Sequence, residues 1–166
     1  MRAHTLVVLM AIAVTVPVTG LQAPEPETPR TELQKFRRAI EEINAQAVNA
    51  GARLRNGAVS MGQGSDDNSG SPAQTCCASN IDKIGKQFTV MSTNIKNLRA
   101  CYRTSGNSEA EVNLNFVHED ASSLYRAVGN FSNAKNTEEL QIGYGVMARA
   151  MILLRNSAKK LTECEP

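Results

Sequence analysis

The sequence predicts an all-α fold: an up-down-up-down four-helix bundle, stapled by a disulfide. Three observations carry this. Four stretches repeat apolar residues at alternating steps of three and four, a rhythm that only an α-helix gathers onto one stripe. The links between the last three stretches are short, and short links force antiparallel neighbours. Cysteines stand near the ends of the stretches. No stretch alternates with period two over a useful length, which argues against strands.

The first stripe is Leu33, Phe36, Ile40, Ile43, Ala47, Ala50 and Leu54. Thr31-Glu32-Leu33-Gln34 reads as its capping box, since Gln34 can reach back while the threonine hydroxyl accepts from a free amide. The second stripe is Ile81, Ile84, Phe88, Met91, Ile95, Leu98 and Tyr102. Ser105-Gly106-Asn107 breaks it off,. The third is Ala110, Leu114, Val117, Ala121, Leu124, Val128 and Phe131. Ser108-Glu109-Ala110-Glu111 offers it a capping box, and Gly129-Asn130 reads as a breaker near its end,. The fourth is Leu140, Tyr144, Met147, Met151, Leu154, Ala158 and Leu161. Asn136 or Thr137 can cap it, Glu138 and Glu139 suit its positive end, and Lys159 and Lys160 suit its last turns,. Each stripe spans roughly 30–35 Å at 1.5 Å per residue, so four can share one core.

Before the first helix the chain changes character. Arg2 and His4 precede an apolar run from Leu6 to Val18, with small residues at Thr19 and Gly20. That is a signal-peptide layout, residues 1–20, with cleavage after Gly20. The run falls short of the ~20 residues a membrane span needs. Residues 21–30 hold Pro24, Pro26 and Pro29 interleaved with Glu25 and Glu27, an extended Pro/Glu leader. Residues 31–166 then form a single helical-bundle domain. Between Asn56 and Thr75 glycine, serine, aspartate and asparagine dominate and no stripe survives, so 56–75 reads as a mobile loop.

The cysteines are Cys76, Cys77, Cys101 and Cys164. Export permits disulfides. A continuous second helix holds Cys77 and Cys101 about 36 Å apart, against the roughly 7 Å between Cα atoms that a bridge allows. In the bundle the second and fourth helices end at the same place, which predicts a Cys101–Cys164 disulfide. Closing so long a loop contributes about 3–5 kcal/mol in a chain-entropy account. A break in the second helix at Gly85 would return Cys77–Cys101 instead. For Cys76 and Cys77 three readings stay open. A pair of free thiols leads, followed by a disulfide-linked homodimer, then a vicinal disulfide or a metal site.

Charge excludes one class of partner. The chain carries 18 Lys plus Arg against 16 Asp plus Glu. Losing Arg2 with the signal peptide leaves a net charge of about +1, too little for nucleic acid. Lys35, Arg37 and Arg38 form the densest positive spot. It reads as a solvated helix face before it reads as a docking patch.

Catalytic motifs are absent. There is no Gly-x-Ser-x-Gly elbow, P-loop, dinucleotide fingerprint, His-Glu-x-x-His or Cys-x-x-Cys-His. His118 is the one histidine left after export, so any triad would have to use it. His118, Met91 and Met151 fall near one level of the predicted bundle. Histidine with methionine can ligate haem iron or soft copper, although methionine on an apolar stripe is usually core filler. Asn130-Phe131-Ser132 fits an N-glycosylation sequon,. The expectation is a secreted or periplasmic protein, not an enzyme and without a cofactor. It binds a protein partner or a small apolar ligand through a helix face or the 56–75 loop. The alternative is a periplasmic haem or copper carrier.

Overall fold

The stripes become four helices: α1 (Glu32–Gly57), α2 (Pro72–Thr104), α3 (Ser108–Ser132) and α4 (Thr137–Ala158). The computed structural model describes residues 31–57 and 72–164, and among these it contains no strand. The signal peptide expected at 1–20 and the leader at 21–30 lie outside the described residues, as do 58–71 of the expected loop. The ends of that loop are corrected. Asn56 and Gly57 belong to α1, and 72–75 belong to α2. Proline suits a first helical position, where its missing N–H is no loss, so Pro72 starts α2 earlier than the apolar stripe does.

The caps follow the local chemistry. Thr31 Oγ1 accepts from Gln34 N (3.2 Å), and Gln34 Oε1 accepts from Thr31 N (3.3 Å), the reciprocal box of the sequence. Asn136 Oδ1 accepts from Glu139 N (2.8 Å), and Glu139 returns a bond to Lys135 N (2.8 Å). On α3 the expected cap moves by one residue. Asn107, not Ser108, caps the helix by accepting from Ala110 N (3.0 Å). Gly106 makes this turn possible with φ +68°, the left-handed conformation that glycine adopts without penalty. Asn107 N then donates to Tyr102 O (2.9 Å). The Gly129-Asn130 breaker is also corrected, because α3 runs through it to Ser132.

All seven stripe residues of α3 are buried, and so are most of the other three stripes. Leu54, Ile81, Phe88 and Tyr144 are only partly buried against this core. Burying one such aliphatic or aromatic side chain contributes about 1.5–3 kcal/mol. The helices thus owe their stability to packing more than to propensity.

Polar contacts fix how neighbours align. Asn97 donates to Glu32 (2.9 Å), Asn80 to Gln46 (2.9 Å), and Arg53 to Cys76 O (3.4 Å). Partners therefore descend α2 as they climb α1. Gln46 and Asn80 are buried, and Gln46 also donates to Glu42 (2.9 Å). In the amide orientation that satisfies both atoms, Asn94 accepts from Phe36 N and donates to Glu32. Hydrogen bonds from Lys35 and Asn97 hold the Glu32 carboxyl below its ordinary range. Between α3 and α4, Gly143 lies against the Phe131 backbone. Contacts are densest between α1 and α2 and between α3 and α4, and lighter between α2 and α3.

The segment after α4 is tied down three times. Arg37 donates to Leu161 O (3.0 Å), Tyr102 donates to Thr162 O (2.6 Å), and Cys164 is joined to Cys101 with Cα atoms 6.2 Å apart. α2 is continuous through Gly85, which keeps Cys77 a full helix length from Cys101. Cys76 and Cys77 are joined to each other. That corrects the free-thiol reading: no third cysteine is near, and the adjacent sulfurs take one another. Both sulfurs are occupied, so neither is left for a bridge to a second copy. Cys77 is buried, its sulfur 3.9 Å from Ala50 O on α1.

Candidate functional site

Side-chain size opens a groove where α2 and α3 face each other. Phe88 meets Tyr125 edge to face, with ring centroids 5.2 Å apart. Arg99 Nη2 donates to Asn115 Oδ1 (3.0 Å), and Arg103 pairs with Glu111 (2.7 Å). That register sets Ser92 level with Ser122. Gly85 lies one turn before Phe88, and Ala121 adjoins Ser122. Small residues on both walls leave the interval unfilled, and a groove of about 800 Å³ results. Its size is within the range of small-molecule sites, roughly 300–1,000 Å³.

The groove changes character along its length. Met91, Ile95 and Ala121 form a buried apolar floor. Phe88 and Tyr125 stand at one end. Lys96, Arg99 and His118 line the other, and the same register sets His118 level with Lys96. No Asp or Glu lines the groove. Arg99 Nε is shut off from solvent without an acceptor, although its Nη2 is held by Asn115. Arg126, near the aromatic end, turns to Ser123 on its own helix (3.4 Å). Ser122 Oγ donates to the His118 carbonyl (2.8 Å), a bond within α3 that presents no hydroxyl to the imidazole.

Of the three expected ligand residues, two reach this groove. Met91 is in its floor and the exposed His118 on its wall. Met151 does not line it, being buried in the core on α4. The register sets His118 level with Lys96 rather than Met91, about 7.5 Å further along α2 at 1.5 Å per residue, and Met151 faces the core. Among the described residues no three His, Cys, Asp or Glu side chains cluster to hold a metal ion.

The basic spot on α1 is partly engaged in the fold. Lys35 pairs with Glu32 (2.7 Å) and Arg37 holds Leu161. Asn130 of the sequon is exposed on α3, beside the buried Phe131. A helix face does remain apolar and open: Ile142, Val146 and Leu153 lie at steps of four and seven along α4, each roughly half exposed or more. Among the described residues no helix is long and apolar enough to cross a membrane.

Sequence reasoning missed Lys96 and Arg99. The signal was there: Gly85, Ser92 and Arg99 recur at intervals of seven on α2, so two small residues and a cation share one line.

No family model matches this chain, and neither do curated proteins or solved structures.

Proposed function

We propose that the chain is an exported, non-catalytic binding protein that holds a small ligand in the groove between α2 and α3. The groove itself is the observation that carries this reading, with a buried apolar floor, an aromatic end and a few polar groups at the other end, as ligand sites have. A hydrolytic reading lacks support. No carboxylate faces His118 across the groove to orient it, and Ser122 points its proton at a backbone carbonyl,. Export is part of the proposal. The signal-peptide layout supports it, and so do two disulfides, which persist in oxidising compartments,.

The up-down-up-down arrangement belongs to the same reading. Contacts run in opposite order along α1 and α2 and along α2 and α3, and the short link between α3 and α4 sets Gly143 against Phe131, which supports it. The segment after α4, tied to the end of α2 by Cys101–Cys164, supports it too. Such a bundle with two helix pairs meeting loosely leaves a natural cleft between them.

Nile red, an uncharged dye that brightens in apolar surroundings, tests the reading. The native protein brightens it, and Ser92→Trp or Ser122→Trp, which fill the walls, abolish the effect. Glu119→Trp, on the exposed face of the same helix, leaves it intact. Equal brightening by all four proteins would remove the groove as the binding site.

A further inference from the structure

We infer that the groove takes a single-chain anionic amphiphile, its oxyanion head at Lys96, Arg99 and His118 and its chain along Ile95, Met91 and Phe88. This rests on reading the groove as the binding site, and it names the ligand class.

Length comes first. From Phe88 to Arg99 the groove follows α2 for about 16 Å at 1.5 Å per residue, which suits an extended acyl chain rather than a compact ring system. Polarity comes second. The two ends differ: Phe88 and Tyr125 supply rings at one, where Arg126 is the single charge and is bonded to Ser123, and Lys96, Arg99 and His118 gather at the other. A ligand with one anionic end and one apolar end meets the denser positive charge with its head at Lys96 and Arg99.

Charge comes third. Two permanent cations line the head end, and no carboxylate in the groove neutralises them. Outside the groove, Glu111 is committed to Arg103, and Glu119 beside His118 is exposed. A cationic head would be repelled there. A neutral one would leave the charges without a counter-charge.

The fourth observation is independent of shape. Arg99 lines the groove with its guanidinium already oriented. Asn115 fixes the guanidinium through Nη2 (3.0 Å), so the plane is held in place before any ligand arrives. A carboxylate or phosphate oxygen meets the part of the guanidinium that lines the groove, and charge-assisted bonds of this kind are the strong ones.

Calorimetric titration of the disulfide-intact protein tests the inference with ligands of equal chain length below their micelle concentrations. Dodecanoate and dodecyl phosphate carry the anionic head, dodecyl maltoside a neutral one and dodecyltrimethylammonium a cationic one. Inorganic phosphate supplies the head without the chain. The expected result is that at least one of the two anions binds about tenfold or more tightly than the maltoside. The tighter anion identifies the head as carboxylate or phosphate. The ammonium binds weakest, and inorganic phosphate gives no measurable heat. Arg99→Gln, and separately the exposed Lys96→Gln, weaken the anion by about tenfold while the maltoside changes by less than about twofold. Unchanged circular dichroism confirms that both variants fold, and the Lys96 variant stands alone if the Arg99 variant does not.

Maltoside or ammonium binding as tightly as the anions would overturn the ligand class and leave the groove reading standing. Inorganic phosphate binding as tightly as the amphiphiles would overturn the role of the chain. If no amphiphile binds and the wall tryptophans leave Nile red unaffected, the groove reading itself has failed.

Discussion

Gly51 stands against the ring of Tyr144, where an added Cβ would overlap the phenol oxygen and the ring carbons beside it. Tyr144 in turn packs on Phe131, ring centroids 6.3 Å apart. Gly51→Ala therefore displaces a ring between α1 and α4, a change that costs about 1–3 kcal/mol. It regains only about 1 kcal/mol of helix propensity, so chemical denaturation should show a net loss. Gly145→Ala has the opposite sign. Nothing lies within 4 Å of its added Cβ, and the variant gains about 0.5–1 kcal/mol. Tyr102 gives a pH signature. Burial, then the Glu163 carboxylate, raise its phenol above the ordinary value, with Arg37 opposing. A raised acid favours folding below its unfolded pKa of about 10, and that contribution is lost as pH rises through the folded value. Stability should therefore fall on the alkaline side above about pH 10. Tyr102→Phe, which loses the bond to Thr162 O, should be less stable at neutral pH by about 1 kcal/mol and show a flatter alkaline limb.

At the scale of elements, the α3 start separates pattern from geometry. Ser-x-x-Glu fits a capping box as a string, yet Asn107 one residue earlier is as good a cap. Gly106, at φ +68°, brings the chain in so that Asn107 meets Ala110 N. Asn107→Ala should cost about 1 kcal/mol. Ser108→Ala, already inside the helix, should stay within about 0.5 kcal/mol. Thermal melts of the two variants decide between the caps. Gly129 shows the same competition decided by burial. A glycine inside a helix costs about 0.5–1 kcal/mol, but Val128 and Phe131 on either side of it are buried, and each contributes more than that. The stripes made the helices legible because period and burial share one cause. Local breakers and caps were legible only where no tertiary contact competed with them.

For the whole molecule, a stripe says which residues face inward but not how closely two neighbouring helices approach. That is why the core was legible while the groove was not. The groove depends on Ser92 and Ser122 standing level across two helices, a fact of register that no single-helix pattern holds. Met151 makes the converse point: placing residues at a common level found it a site it does not share, because direction around the helix decides what a side chain lines. The Cys101–Cys164 pair was readable from helix length and bundle order together, since a continuous α2 keeps Cys77 from Cys101 and the ends of the second and fourth helices meet. Their far-end counterparts were not, because sequence spacing says nothing of whether adjacent thiols pair. Two surfaces now compete for function: the groove and the apolar line on α4. Backbone amide shift mapping of the labelled protein, titrated with dodecanoate, tests the choice directly. The account predicts shifts concentrated at residues 88–99 and 118–125. Shifts concentrated around Ile142, Val146 and Leu153, with the groove unmoved, would contradict it.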